Sequence, residues 1–125
     1  MKTIKIFAIA IFGITVGLSH DVVAQSAVGK NIKVKADPKA KYTVVNKIVR
    51  NSSGNLEIVT KRTSSYGDSY SKREVSCSNM TFRYLGDGDT IEQMKNSTPS
   101  PNMSSLVRGS SSDVISRFAC ANAPK

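Results

Sequence analysis

Tryptophan is absent from this chain, histidine occurs once, at position 20, and cysteine occurs twice. Aromatic residues make up 6% of the sequence, which leaves few platforms on which nucleic-acid bases could stack. Acids are outnumbered two to one, with 9 Asp and Glu against 18 Lys and Arg. The scarcity of histidine weighs against nucleophilic catalysis, because an ordinary serine needs a neighbouring base to activate it. Ser71-Lys72 is a conceivable Ser–Lys pair, but adjacent residues on a strand point to opposite faces. A two-carboxylate site would have to draw on Glu57, Glu74, Glu92 and aspartates that stand mostly in turns. No enzymatic activity and no cofactor are expected.

Residues 1–24 read as a secretory signal. Lys2 and Lys5 precede an uncharged apolar run over 6–18, and Val22 and Ala24 occupy the −3 and −1 positions of a small-residue cleavage site. The run ends at Ser19-His20-Asp21, short of the roughly 20 apolar residues that span a bilayer. No cysteine lies beside the cut to accept a lipid. Export through the Sec pathway to the periplasm or beyond is therefore expected, with no lipid anchor and no membrane span after cleavage. Removing Lys2, Lys5, His20 and Asp21 with the leader leaves 101 residues with 16 basic and 8 acidic side chains and no histidine.

A chain of that length is marginal for burying a core, and an oxidising compartment permits a disulfide. Cys77 and Cys120 allow a single intramolecular pairing, set against two free thiols or a bridge between molecules. If joined, they close a loop of about 44 residues, for which chain entropy gives roughly 4 kcal/mol.

Residues 25–41 (QSAVGKNIKVKADPKAK) form a lysine-rich lead-in, expected to be extended or partly disordered with a short edge strand over 32–35. Residues 42–125 are expected to form a single domain. The β-branched run 42–50 and the run 56–63, separated by Asn51-Ser-Ser-Gly-Asn55, predict a hairpin. Residues 64–68 form a second turn. In 73–85 (REVSCSNMTFRYL), Val75 and Cys77 differ in parity from Met80, Phe82 and Tyr84. A straight strand cannot bury both sets, so Ser78-Asn79 is expected to be a bulge or tight turn. Gly86-Asp-Gly-Asp89 ends the run, 90–95 reads as a last short strand, and 96–102 reads as a loop.

The clearest helix signal lies at the C-terminus. Ser110 stands three residues before Asp113, resembling a capping box. Val114 and Phe118 form an apolar row, with Ile115 and Ala119 beside it, and Pro124 closes the element. Without strand–helix–strand repetition, the expected class is α+β, a small antiparallel sheet with a C-terminal helix.

The hairpin over 42–63, the segment EVSCSNMTFRYLGDGDT over 74–90 and the closing SSDVISRFAC over 111–120 together resemble the surface-adhesin protein E family of exported bacterial proteins. The resemblance implies a strand ending at Cys77 and a short C-terminal helix ending at Cys120, tethered to the sheet by their disulfide. It also implies an adhesin-like binding role. The chain departs from the family in lacking a lipid-acceptor cysteine and in its shorter strands.

Gly86-Asp87-Gly88-Asp89 could offer oxygen ligands to calcium, but most of the EF-hand loop is missing and a plain β-turn explains it; no metal is expected. The N-x-Ser/Thr sequons at Asn51, Asn79, Asn96 and Asn102 carry no meaning in a bacterial protein. The basic residues are more informative. Lys30 through Arg50 holds seven of them and one acid, and the doublets Lys61-Arg62 and Lys72-Arg73 follow on or beside turns. Lys47, Arg50, Lys61, Arg62, Lys72 and Arg73 are the candidate polyanion-binding residues. Their expected partners are an acidic protein or an anionic glycan or lipid headgroup of the envelope or host matrix, not nucleic acid. The alternative is a periplasmic accessory or inhibitory protein that binds another bacterial protein.

Overall fold

The computed structural model describes residues 26–125. The proposed signal over 1–24 lies outside them.

Seven strands form one antiparallel sheet: β1 (Asn31–Ile32), β2 (Lys41–Val44), β3 (Val49–Arg50), β4 (Leu56–Ser64), β5 (Gly67–Ser76), β6 (Thr81–Gly88) and β7 (Ser104–Ser105). Two helices complete the fold, α1 (Ile91–Asn96) and α2 (Ser111–Ala121). The strand order is β1-β2-β4-β5-β6-β7, and β3 lies beside β4 next to β2. The α+β class, the antiparallel sheet and the C-terminal helix expected from the sequence are all present.

The long hairpin β4–β5 is the middle of the sheet, paired without interruption from Leu56↔Val75 to Ser64↔Gly67. Its turn is only Ser65-Tyr66, tighter than the five residues expected, and since neither residue has positive φ, Gly67 behind them supplies it at 117°. The doublets Lys61-Arg62 and Lys72-Arg73 therefore lie within strands, not on turns. The predicted run 42–50 divides into β2 and β3. Across the break Val44 and Ile48 still face inward and Val49 faces solvent, as their parity requires.

The parity conflict in 73–85 is resolved by a turn over Cys77–Met80, after which β6 runs back along β5. Met80 takes φ 52° there. Arg73↔Tyr84 and Val75↔Phe82 are then cross-strand neighbours on one face. Next to them the register shifts, because Leu85 is the extra residue between Tyr84 and Gly86.

Helix α2 covers that face. Its Ile115 and Ala119 are fully buried against Val44, Leu56, Ile58 and Val75. Val114 and Phe118, the row expected to lead, pack at the margin and stay partly exposed. The two rows lie about 100° apart around the helix, and docking turns the smaller Ala119 toward the closely approaching strands. The N-cap is as read: Ser110 Oγ accepts from Asp113 N at 3.1 Å.

Helix α1 replaces the strand expected over 90–95. Thr90 Oγ1 accepts from Gln93 N at 3.1 Å, and Gln93 Oε1 accepts from Asp89 N at 2.8 Å, a near capping box present in the sequence as T-I-E-Q. Gly86 and Gly88 pair with Lys72 and Tyr70, whose side chains face away from α2. A Cβ on Gly86 would collide with the Met94 carbonyl oxygen, and one on Gly88 would come within 2.5 Å of Gln93 Cβ. The glycines thus let α1 lie against the opposite face.

Of the two forms expected for the lead-in, extended or partly disordered, residues 26–41 take the first, and they pack into the same core as the residues beyond 42. Ala27, Ile32, Val34 and Tyr42 are buried in the main core, and β1 sits at Asn31–Ile32 instead of 32–35. Cys77 and Cys120 are joined, with Cα atoms 5.8 Å apart. The bond ties the turn after β5 to the last turn of α2.

This packing sets two expectations for stability. Native protein should titrate no thiol without reductant, and Cys77→Ser should lose about 2–4 kcal/mol in urea denaturation. Ile115→Ala should cost about 2–5 kcal/mol by the same assay, and more than Val114→Ala. Equal losses for Ile115 and Val114 would contradict the helix orientation.

Candidate functional site

Residues at alternate positions of β4 and β5 face opposite ways, and this alternation sorts the charged groups. The face under α2 carries Thr60, Arg62 and Arg73, while the other carries Glu57, Lys61, Lys72 and Glu74.

Arg73 is 3% exposed. It cannot bind an external polyanion, which corrects its place among the candidates. Its Nε donates to Ser112 Oγ and its Nη1 to Thr60 Oγ1, both at 3.1 Å, and its Nη2 donates to Tyr84 Oη at 3.3 Å. The guanidinium also stands 4.9 Å from the Tyr84 ring centroid. Burial pulls its pKa below the ordinary value. One cation thus joins β4, β5, β6 and α2 through neutral partners.

On the other face Glu74 is buried and accepts from Arg83 Nε at 2.7 Å, Asn51 Nδ2 at 2.9 Å and Asn55 Nδ2 at 3.1 Å. Asn51 and Asn55 close the turn between β3 and β4, so this carboxylate anchors the turn to the sheet. Asn51 is committed to that network as a side-chain donor. Asp87 and Asp89 are exposed at the end of β6, and among the described residues no group of three or more His, Cys, Asp or Glu could hold a metal ion.

Three more candidate cations are already paired. Lys61 Nζ lies 3.4 Å from Asp68, Lys72 Nζ lies 3.3 Å from Glu57, and Arg62 Nε lies 2.7 Å from Asp37 Oδ2. Arg62 also donates from Nη2 to Asp37 Oδ1 at 3.1 Å, and Tyr42 Oη donates to Oδ2 at 2.7 Å. These pairs leave Lys47 and Arg50, both exposed, near the start of β4, where Arg50 pairs with Leu56. Lys61 and Arg62 stand near the other end of that strand, about 15–20 Å away at the usual rise per residue. The structure does not bring the six candidates onto one surface.

A different set does converge. The chain around Asp37 folds back over the end of the sheet and places Lys33, Lys35, Lys39 and Lys41 in solvent. Among the described residues none of these four has a carboxylate within 4 Å. An open groove of about 570 Å³ is lined by three of them. Ile32, Val34, Ala40 and Tyr42 lie beneath it, and Lys33, Lys35 and Lys41 stand along it. The Asp37–Arg62 bridge fixes this loop to β4. The signal for this site is in the sequence as the seven-to-one excess of bases over 30–50. A second groove of about 560 Å³ lies between Lys47, Ile48 and the C-terminal residues 122–125.

No protein-family model, curated protein or solved structure matches the chain. Among the described residues no helix is long and apolar enough to cross a membrane.

The carboxylates predict an acid-labile fold. Burial pushes Glu74 up, but Arg83, Asn51 and Asn55 together outweigh it and hold the group below its ordinary value. Arg62 and Tyr42 hold Asp37 down, and the Gly109 amide with Arg117 holds Asp113 down against its own burial. A carboxyl depressed by folding contributes stability above its unfolded pKa, and that contribution is lost as pH falls through the folded pKa. The urea midpoint should therefore hold from neutrality to about pH 5 and decline below the ordinary carboxylate range. Glu74→Gln should lower the neutral midpoint and flatten part of the decline. A parallel, undiminished decline in that variant would remove Glu74 from the account.

Proposed function

We propose that this chain is an exported, non-enzymatic binding protein that holds an anionic macromolecule of the envelope or of a host surface. The observation that carries this reading is the group of four exposed lysines, 33, 35, 39 and 41, without a carboxylate partner among the described residues. Most acids in the sheet are engaged with Lys61, Lys72 and Arg83, and Asp37 is engaged with Arg62, so the net charge of +8 left after loss of residues 1–24 is expressed mainly elsewhere. Unpaired surface cations raise the rate of encounter with anions and hold loose complexes. The signal-like residues 1–24 and the disulfide support export to an oxidising compartment. The resemblance to surface-adhesin protein E supports a binding role.

Retention on immobilised heparin tests this reading. Wild type should elute at higher salt than Lys33→Glu/Lys35→Glu/Lys41→Glu, because exposed charges are screened over about 8 Å at physiological ionic strength. Neutralising Lys61 and Lys72 to Gln should shift elution less, since both are already offset by acids. Elution of wild type and the triple variant at the same salt would sink the polyanion reading.

A further inference from the structure

We infer that the anion held at this end is the surface of an anionic lipid bilayer, with the β4–β5 turn reaching into the headgroup layer. The inference rests on the polyanion reading above and names its partner. Three observations converge on one end of the sheet.

The first is charge. Lys33, Lys35, Lys39 and Lys41 are exposed there, and the two carboxylates nearby, Asp37 and Asp68, are engaged by Arg62 and Lys61. The end therefore presents net positive charge, which suits a layer of anionic headgroups.

The second is the side chain at the tip. Lys41 pairs with Thr63, and Ser64 pairs with Gly67, so Tyr66 projects from the turn just past Lys41. Tyr66 is 99% exposed, and the structure gives its hydroxyl no hydrogen bond among the described residues. Its side chain is packed against nothing, and only its backbone N–H, which donates to Ser64 Oγ, takes part in the turn. At a membrane interface its apolar ring and polar tip both find suitable surroundings.

The third is the groove lined by three of the lysines. Its lining combines Pro38 and Ala40 with the small exposed margins of Ile32, Val34 and Tyr42, which are otherwise buried in the core. A sulfated or carboxylated glycan offers charge but only small apolar surfaces, its ring C–H faces and any N-acetyl methyl groups, and no chain that could run along a groove. A lipid offers both, with its phosphate at the lysines and its upper acyl carbons in the groove.

The absence of tryptophan makes the test direct, because Tyr66→Trp introduces a single tryptophan reporter at the tip. Protein isolated after expression, its N-terminus read by mass spectrometry, is titrated with two kinds of vesicle. One contains equal parts of phosphatidylglycerol and phosphatidylcholine, and the other phosphatidylcholine alone. The reporter's emission should shift to the blue with the first and stay unchanged with the second or with heparin. In co-sedimentation, Lys33→Glu/Lys35→Glu/Lys41→Glu should lose at least about 100-fold in partitioning, since each basic residue near an anionic surface is worth about fivefold. Tyr66→Ser should bind these vesicles several-fold more weakly while eluting from heparin with wild type. An apolar leader, if retained, would bind both vesicles and all variants alike, so the differences alone are read.

Heparin retention without vesicle binding or a blue shift would overturn the lipid inference and leave the polyanion reading standing. Failure to bind either would overturn both. Wild-type vesicle binding by Tyr66→Ser would overturn the role of the tip.

Discussion

The unbroken pairing of β4 with β5 is the interaction against which every other part of this small domain is placed. Its nine cross-strand pairs set which side chains share a face, from Leu56 opposite Val75 to Ser64 opposite Gly67. Strands β2 and β3 then pair along the free edge of β4, and β6 along the free edge of β5. Helix α2 lies across the face that collects Leu56, Ile58 and Val75, and helix α1 lies against the other at Gly86 and Gly88. A slip of one residue in this pairing would exchange the two faces and expose the core. The bond between Cys77 and Cys120 holds the helix at the place this register defines.

The same register governs the charges. Arg73 falls on the core side and is enclosed by Thr60, Ser112 and Tyr84, hydroxyl partners drawn from three elements. Lys72, one residue earlier, falls on the other side and meets Glu57. Two neighbouring cations in the sequence thus have unrelated surroundings, one dry and structural, the other screened by an acid. Four of the lysines without a carboxylate partner among the described residues, 33, 35, 39 and 41, come from the chain around Asp37. Its backbone follows no long ladder there, and cross-strand acids do not stand opposite them. Surface charge collects where the sheet stops neutralising it.

Much of this was legible from local patterns. The parity change between Val75 and Phe82 required a reversal near Ser78-Asn79, and the turn is there because a strand cannot bury two opposite parities. Ser110 and Asp113 marked the start of α2 because an N-cap acts through bonds three residues apart. The pattern T-I-E-Q carried the same kind of signal for α1, but its β-branched neighbours and the short length favoured a strand reading. Lys33 and Lys35 flank Val34, and their charge suggested a solvated lead-in. The alternation that buries Ile32 and Val34 between them was legible as a short edge strand, whose ladder forms at Asn31–Ile32.

Sequence by itself determined the class of the domain, the positions of its main turns, the start of its terminal helix and the basic excess over 30–50, and it allowed one intramolecular pairing of its two cysteines. The first four depend on groups within a few residues of one another, whereas the bond depends on the fold that brings Cys77 and Cys120 together. Tertiary structure decided which helical row is central, how the lead-in joins the core, and which cations are free. Those outcomes depend on what stands opposite a side chain across a strand pair or beneath a helix. Arg62 is bound because Asp37, 25 positions away, folds back onto it. Arg73 is buried because α2, some 40 positions later, closes over it. Charge alone is written locally, but whether it is spent on the fold or left for a partner depends on contacts across the whole chain.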